Sequence, residues 1–196
     1  MTHTTSNSSI PPSYFEELYR EDPDPWQFAT STYEAEKYAA TIAALPKKHY
    51  GSGWEIGGSI GILTEKLASR CDALLSIDVS ETAQAQAIDR CRSLPQVQFE
   101  IMRFPQQQPQ EVFDLIVVSE VGYYWGWDDL RQARQSIFDR LELGGHLLLV
   151  HWTQETNYPL RGDEVHDTFL EWVPTKLRSL EARRAEKYRL DLFERI

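Results

Sequence analysis

Small residues and one carboxylate in the first half of the chain have the spacing of a nucleoside-binding pocket. Gly57, Gly58 and Ser59 follow a strand-like run and precede an amphipathic segment, which predicts a strand, a tight turn and a helix start. The backbone N–H groups of such a turn can approach a ligand closely, and the helix start adds partial positive charge. Asp78 ends the next strand-like run about 20 residues later, where a carboxylate can bind both hydroxyls of a ribose. A glycine-rich turn that binds nothing is the alternative.

The residues around this turn distinguish two classes of nucleoside cofactor. The dinucleotide fingerprint requires Gly-x-Gly-x-x-Gly, and Ser59 stands at the third position of that pattern. Glu55, Gly57, Ser59 and Gly61 instead resemble the acidic-x-Gly-x-Gly-x-Gly motif of class I S-adenosylmethionine (SAM) methyltransferases, with serine as the middle glycine. This resemblance implies SAM as cofactor, bound by the turn and by the end of the second strand: Glu55, Gly57, Gly58, Ser59, Gly61, Asp78 and Val79.

A second polar pair follows the most apolar run of the chain. Residues 115–118 are continuously apolar, which is typical of a central strand, and Ser119 and Glu120 come directly after them. Ligands of open α/β sheets bind at the carboxyl ends of such strands. Glu120 is the best-placed carboxylate to take or hold the proton of an amine acceptor, and Tyr124 can hydrogen-bond or stack on the acceptor. Alternatively, Glu120 binds backbone or ribose, and the tyrosine packs in the core.

Two histidines follow in the second half of the chain. His151 ends the next strand at the same edge of the sheet and is a candidate base, because neutral imidazole is available near pH 7. A hydrogen-bonded structural histidine is the alternative. His166 has Glu164 and Asp167 beside it in a predicted helix, and we expect it to lie on the surface.

The elements that position these residues alternate along the chain from residue 51 onwards. Period-2 and period-3.6 patterns predict strands over 53–56, 73–78, 97–101, 113–119 and 146–151, with helices over 61–69, 80–93, 127–141 and 162–172. Such alternation indicates an α/β fold with a parallel sheet covered on both faces. Two runs at 177–184 and 188–196 predict a closing hairpin. We expect a disordered tail over 1–12 and one domain over 13–196, in which 13–48 is a helical lid and 49–196 the core.

Composition limits the classes of partner. The chain has 196 residues and a net charge of −10, which disfavours a nucleic-acid substrate and favours a neutral or cationic small molecule. Cys71 and Cys91 lack metal-ligand spacing, so we expect no metal and two reduced thiols. No stretch approaches the ~20 apolar residues of a membrane span, and no signal peptide is evident, which predicts a cytoplasmic protein without a membrane partner. The sequence does not predict the oligomeric state.

The segment after the third strand departs from the class I pattern. Many class I methyltransferases carry an aspartate there that accepts a hydrogen bond from the exocyclic amine of adenine, whereas this chain has Arg103. Arginine cannot accept that bond. We therefore expect adenine to be recognised by backbone groups near Arg103, or by stacking on Met102 or Phe104.

Several motifs together resemble one family, the nodulation protein S (NodS) family of SAM-dependent methyltransferases. They are Tyr33-Glu34-x-x-Lys37-Tyr38, Thr41-Ile42-Ala43-Ala44-Leu45-Pro46, Glu55-Ile56-Gly57, and the run from Phe113 to Val121 with Tyr123-Tyr124. The resemblance covers roughly residues 14–150. It implies a Rossmann-like three-layer sandwich whose sheet has seven mostly parallel strands with an antiparallel last strand. It also adds residues to the cofactor site: Tyr33, Ser119, Glu120 and Val121.

Members of that family N-methylate the free amino group of a glucosamine residue at the non-reducing end of a chitooligosaccharide. The resemblance therefore implies a sugar or other small-molecule acceptor. The segment 151–166 matches nothing typical of the family, which leaves the acceptor open. An O-methyltransferase of a small metabolite and a non-catalytic binding domain are the alternatives.

Overall fold

The computed structural model describes residues 8–196. Within them, helices and strands alternate after an N-terminal helix pair, as the sequence predicts. The helices are α1 (Pro12–Glu21), α2 (Thr32–Ala43), α3 (Ile62–Ala68), α4 (Glu81–Arg90), α5 (Trp127–Arg140) and α6 (Gly162–Leu170), with a 3-10 turn at Gly122–Tyr124. The strands are β1 (Tyr50–Ile56), β2 (Cys71–Asp78), β3 (Val97–Ile101), β4 (Phe113–Ser119), β5 (Leu141–Trp152), β6 (Leu177–Arg184) and β7 (Tyr188–Arg195).

The strands form one seven-stranded sheet in the order β3-β2-β1-β4-β5-β7-β6. β1 to β5 pair in parallel, whereas β7 runs antiparallel to both β5 and β6. This confirms the predicted sheet with an antiparallel last strand. In the central register Ile56 lies beside Ile77 on one side and Val118 on the other, so the residues that follow β1, β2 and β4 emerge at the same edge.

Two hydrophobic layers enclose the sheet because successive side chains of its central strands point to opposite faces. In β4, Ile116 and Val118 pack with residues of α5 and α6, whereas Leu115 and Val117 pack with residues of α2 and α3. All four side chains are almost fully buried. β4 is therefore a central strand covered on both faces, and it fixes the positions of Ser119 and Glu120 at the carboxyl edge of the sheet.

The N-terminal helices lie against this core through polar and aromatic contacts. Glu16 of α1 accepts hydrogen bonds from the hydroxyls of Ser80 (2.7 Å) and Thr82 (2.6 Å) at the start of α4. These bonds lower the pKa of Glu16 to about 2. Residues 1–7 of the expected tail lie outside the described residues. Ile10, which falls within the expected tail, is hydrogen-bonded to the core, because its N–H donates to the carbonyl of Tyr124 at 2.9 Å.

Three strands are longer than the sequence predicts, and one of them is β2, which begins at Cys71 instead of residue 73. β1 begins at Tyr50 and β5 at Leu141, because Tyr50 pairs with Cys71 and Leu141 pairs with Phe113. The glycine pair 144–145 interrupts the period-2 pattern and hides the first part of β5, where the register with β4 shifts. The predicted bounds of β3 and β4 agree with the structure.

Candidate functional site

A cavity lies where the carboxyl ends of β1 to β4 meet. Its base consists of residues that follow these strands, and residues 9–28 of the N-terminal segment cover it. Eleven of the residues singled out from the sequence line this cavity: Gly57, Ser59, Asp78, Val79, Met102, Arg103, Phe104, Ser119, Glu120, Val121 and Tyr124. The sequence therefore identifies most of the cavity floor.

The turn after β1 is held in place by the carboxylate of Asp78. The N–H of Ser59 donates to Asp78 Oδ2 at 2.8 Å, and the N–H of Ser80 donates to Oδ1 at 2.9 Å. Gly57 (φ +85°) and Ser59 (φ +50°) both adopt the left-handed conformation, which costs a serine more than a glycine. A Cβ on Gly57 would lie 2.2 Å from Val121 Cγ1, so the turn packs directly on the segment after β4. Burial raises the pKa of Asp78.

Glu55 lies beneath the turn rather than in the cavity. Its Oε2 accepts hydrogen bonds from the hydroxyls of Thr64 (2.5 Å) and Ser76 (2.8 Å), and the side chain is fully buried. Burial raises its pKa to about 7, although the two hydroxyls act in the opposite direction. Glu55 was predicted to contact the cofactor, and the structure corrects this. Its carboxylate faces the protein interior and supports the turn through Thr64 and Ser76.

Gly58 and Gly61 were also predicted to contact the cofactor, but neither lines this cavity. Gly61 packs on α4, where a Cβ would lie 2.8 Å from Cα of Ala87. Gly58 lines a smaller, adjoining pocket that also contains Phe28, Tyr38 and Glu120. The motif thus combines residues that face the cavity with residues that allow the turn to pack against its neighbours.

Glu120 lies in the cavity wall and is paired with a buried lysine. Lys37 of α2 donates to Glu120 Oε1 at 2.5 Å and to Glu34 Oε1 at 2.9 Å. Burial lowers the pKa of Lys37, but the charges of Glu120 and Glu34 outweigh it and raise that pKa overall. Oε2 of Glu120 accepts from the hydroxyl of Tyr123 (2.6 Å) and from the N–H of Trp152 (2.9 Å). Four donor contacts on two carboxylates thus hold this part of the wall.

His151 lies behind the 3-10 turn, out of the cavity. The N–H of Gly122 donates to its Nε2 at 3.1 Å, so Nε2 carries no proton and the proton is on Nδ1. Nδ1 lies 3.1 Å from Nε2 of His166, and Nδ1 of His166 lies 2.8 Å from Asp191 Oδ2. Both nitrogens of His151 are engaged, which corrects its predicted role as a base. Burial, followed by the neighbouring His166, lowers the pKa of His151 well below its usual value.

The prediction that His166 lies on the surface is wrong. Its side chain is completely buried between α6 and the face of the sheet, where it contacts His151 of β5 and Asp191 of β7. The sequence carries no clear signal for this burial, because Asp191 lies between Leu190 and Leu192 in an alternating strand, where an acid usually faces solvent.

Tyr33 also lies away from the cavity lining. Its ring makes edge contacts with Trp152 (5.6 Å between centroids) and Tyr188 (6.4 Å), so it joins α2 to β5 and β7 instead of contacting the cofactor site. Tyr124, by contrast, lines the cavity and packs against Phe15 and Tyr158 at 4.8 and 4.6 Å.

The residues over the cavity and at one of its corners were not predicted as site residues. They are Ser9, Ile10, Pro12, Phe15, Tyr19, Trp26, Phe28, Gln106, Trp125 and Asp129. The hydroxyl of Tyr19 hydrogen-bonds to that of Ser59, which fastens α1 to the glycine turn. The available signal was the number of aromatic residues in 14–28, which is larger than two short helices need for packing against each other.

The structure also bears on metals and membranes. In residues 8–196 no group of three or more His, Cys, Asp or Glu side chains is arranged to hold a metal ion. Across that same range, each helix is too short or too polar to span a bilayer.

Comparison with known proteins decides the family. The family model for nodulation protein S (NodS) matches residues 15–186. The chain belongs to the NodS family. The nodulation protein S of Rhizobium tropici is 32% identical over 129 residues, which are 64% of this chain and 53% of that protein. The Sinorhizobium fredii protein is 31% identical over 129 residues, or 64% of this chain and 59% of that protein. The chain thus spans little more than half the length of these relatives.

A solved structure shows the same fold. The crystal structure of N-methyltransferase NodS from Bradyrhizobium japonicum WM9, in complex with S-adenosyl-L-homocysteine (SAH), matches with a TM-score of 0.82 and 27% identity. The match covers 92% of this chain and 97% of that one. The fold of this NodS-family chain is therefore the Rossmann-like fold of class I SAM methyltransferases.

Proposed function

We propose that this chain is a SAM-dependent methyltransferase that N-methylates an amino group of a sugar, an oligosaccharide or another small molecule. The observation that carries the proposal is the shared cavity. The carboxylate of Asp78 and the turn at Gly57 line the same space as Glu120 and Tyr124. A nucleoside cofactor and a nucleophile can therefore meet in one enclosure. The SAH complex of the Bradyrhizobium NodS structure supports the choice of cofactor.

The residues at the end of β2 fit the ribose of SAM. A carboxylate offers about four lone-pair sites, and the N–H groups of Ser59 and Ser80 use one on each oxygen of Asp78. Each oxygen therefore retains capacity for one ribose hydroxyl. Val79 and Met102 line the cavity next to this carboxylate and offer apolar surface to the remainder of the nucleoside.

The chemistry that SAM supplies is an electrophilic methyl group on a sulfonium. The chain itself must orient the acceptor with its lone pair in line with the methyl–sulfur bond, and residues 9–28 are the part of the chain placed to limit access of water to the cavity. As the amine attacks, positive charge develops on its nitrogen. Glu120 accepts an N–H of the amine and stabilises that charge. Lys37 donates to Oε1 of Glu120 at 2.5 Å and fixes the position of this carboxylate, so Glu120 orients the amine, and the N-methylated product gives up its proton to water after release.

The acceptor side of the cavity suits a sugar or a small amine. Tyr124 lies beside Glu120 in the cavity, and the ring of Tyr158 packs edge-on against it. Aromatic faces stack on sugar rings and attract cations. The net charge of −10 also favours a neutral or cationic acceptor over a polyanion.

The test is methyl transfer from SAM with a labelled methyl group, using a chitooligosaccharide with a free terminal amino group, glucosamine and small primary amines as acceptors. We expect label on nitrogen. Glu120→Gln should lower kcat about 100-fold while SAH binding changes little, because the loss falls on the transition state. Glu142→Gln, an exposed acid at the far end of β5, is the control. Label on oxygen would favour the O-methyltransferase alternative, and absence of SAH binding would leave a non-catalytic domain.

A further inference from the structure

Three polar side chains form a corner of the cavity between the segments that follow β3 and β4. Asp129, in the first turn of α5, accepts a hydrogen bond from Gln106 Nε2 at 2.7 Å through Oδ1. Its Oδ2 accepts from the hydroxyl of Ser9, and that hydroxyl in turn accepts from the N–H of Gly126 at 2.8 Å. All three side chains line the cavity. Ser9 and Gln106 thus fix the orientation of one carboxylate.

The surroundings of this corner suit a flat heterocycle. Met102, Phe104 and Trp125 line the cavity beside it, and the rings of Phe104 and Trp125 lie 5.6 Å apart. A nucleoside whose ribose were bound by Asp78 would have room for its base at this corner, because Asp78 and Asp129 line the same cavity. The base would then lie against these apolar side chains, with its polar edge towards Asp129.

We propose that Asp129 accepts a hydrogen bond from the exocyclic amine of adenine and thereby selects adenine over other purines. The position after β3 cannot do so, because Arg103 has no acceptor in its side chain. The backbone acceptor there is also engaged, since the carbonyl of Arg103 accepts a hydrogen bond from the N–H of Gln107 at 2.9 Å. Stacking alone does not distinguish one purine from another.

The charge and the remaining capacity of Asp129 suit this role. It accepts two hydrogen bonds, one on each oxygen, and a carboxylate accepts about four. The partial positive charge at the start of α5 stabilises its negative charge, so no cation is needed to pair with it. A bond from a neutral amine to an ionised acceptor is stronger than one to a neutral acceptor.

This inference deepens the proposed function and rests on it. The test measures binding of three compounds by calorimetry: SAH, its analogue with purine in place of adenine, and its analogue with hypoxanthine. None requires turnover. We expect wild type to prefer SAH over the purine analogue by about 10- to 100-fold, the usual effect of one hydrogen bond to a charged group. In Asp129→Ala that preference should fall below about 3-fold.

Two further variants make the test specific. Asp128→Ala removes a neighbouring acid of the same helical turn whose side chain is 89% exposed, and it should keep the wild-type preference. Asp129→Asn replaces the acceptor by a group that also donates. It should improve binding of the hypoxanthine analogue about 10-fold relative to SAH. The amide of asparagine can donate to the carbonyl oxygen that hypoxanthine carries in place of the exocyclic amine, whereas a carboxylate repels that oxygen.

The outcomes separate the two proposals. Wild type that binds no SAH overturns both the proposed function and this inference. Wild type that binds SAH, combined with a folded Asp129→Ala that retains the full preference for adenine, overturns this inference alone. Should Asp129→Ala not fold, Asp129→Asn decides: an unchanged ratio of hypoxanthine to adenine binding overturns the assignment.

Discussion

Removal of the buried Lys37 should destabilise the protein strongly and in a manner that depends on pH. The side chain of Lys37 is only 2% exposed, and those of its partners Glu34 and Glu120 are 9% and 10% exposed. Lys37→Met leaves both carboxylates buried without a cation. Loss of one partner of a buried ion pair costs about 3–5 kcal/mol. Domains have about 5–15 kcal/mol of stability in total, so we expect the variant to fold with a large loss.

The sign of the pH dependence follows from the carboxylates. Burial already raises the pKa of Glu34, and removal of the lysine raises it further because Lys37 acts against that shift. The folded variant then binds more protons than the unfolded chain between the unfolded and the folded pKa. Its stability therefore falls as pH rises through this window. The deficit relative to wild type should be smaller at pH 5 than at pH 7.5.

Urea unfolding at both pH values measures the effect. With an m value of about 2 kcal/mol/M, a loss of 3–5 kcal/mol lowers the midpoint by about 2 M at pH 7.5. Lys47→Met is the matched control, since Lys47 is 43% exposed and lies 3.5 Å from Asp114. It should cost less than about 1 kcal/mol. A Lys37→Met midpoint equal to that of the control, or a deficit that does not change with pH, would refute the reasoning.

Two further predictions concern the floor of the cavity. Asp78→Ala should weaken SAH binding by about 1–3 kcal/mol, measured by calorimetry, because the ribose hydroxyls lose their acceptor. Asp72→Ala, at the exposed start of the same strand, should leave binding unchanged, and equal losses in both would contradict the ribose assignment. Gly57→Ala should lower the free energy of unfolding by about 2–4 kcal/mol through its left-handed φ and the overlap with Val121. Gly51→Ala, where a Cβ meets nothing within 4 Å, should change stability little, and a similar loss there would argue against this cause.

The sequence predicted the parts of the site that depend on local pattern. The strand, turn and helix around Gly57 follow from small residues between two periodic segments, and Asp78 follows from its position at the next strand end. β4 is recognisable from its continuous apolar run. In each case the physical cause lies within about 25 residues of chain, so a window of sequence contains it.

The pairings across the fold were not predictable in this way. Lys37 and Glu120 are 83 positions apart and become partners only because α2 packs beside β4. A lysine in an amphipathic helix is usually solvated, and although Lys37 belongs to the NodS-like motif and lies three residues after Glu34, neither fact predicts its pairing with Glu120. The corner formed by Ser9, Gln106 and Asp129 joins three segments of which two are loops, whose path is set by packing.

A chain of hydrogen bonds from Gly122 through His151 and His166 to Asp191 connects the 3-10 turn beside the cavity to β7. Each hydrogen bond determines which nitrogen of the neighbouring imidazole carries the proton. The position of the turn that carries Tyr123 and Tyr124 therefore depends on a strand about 70 residues downstream. A substitution at Asp191 is therefore expected to alter the position of the 3-10 turn and of Tyr124 in the cavity lining, although Asp191 itself does not line the cavity.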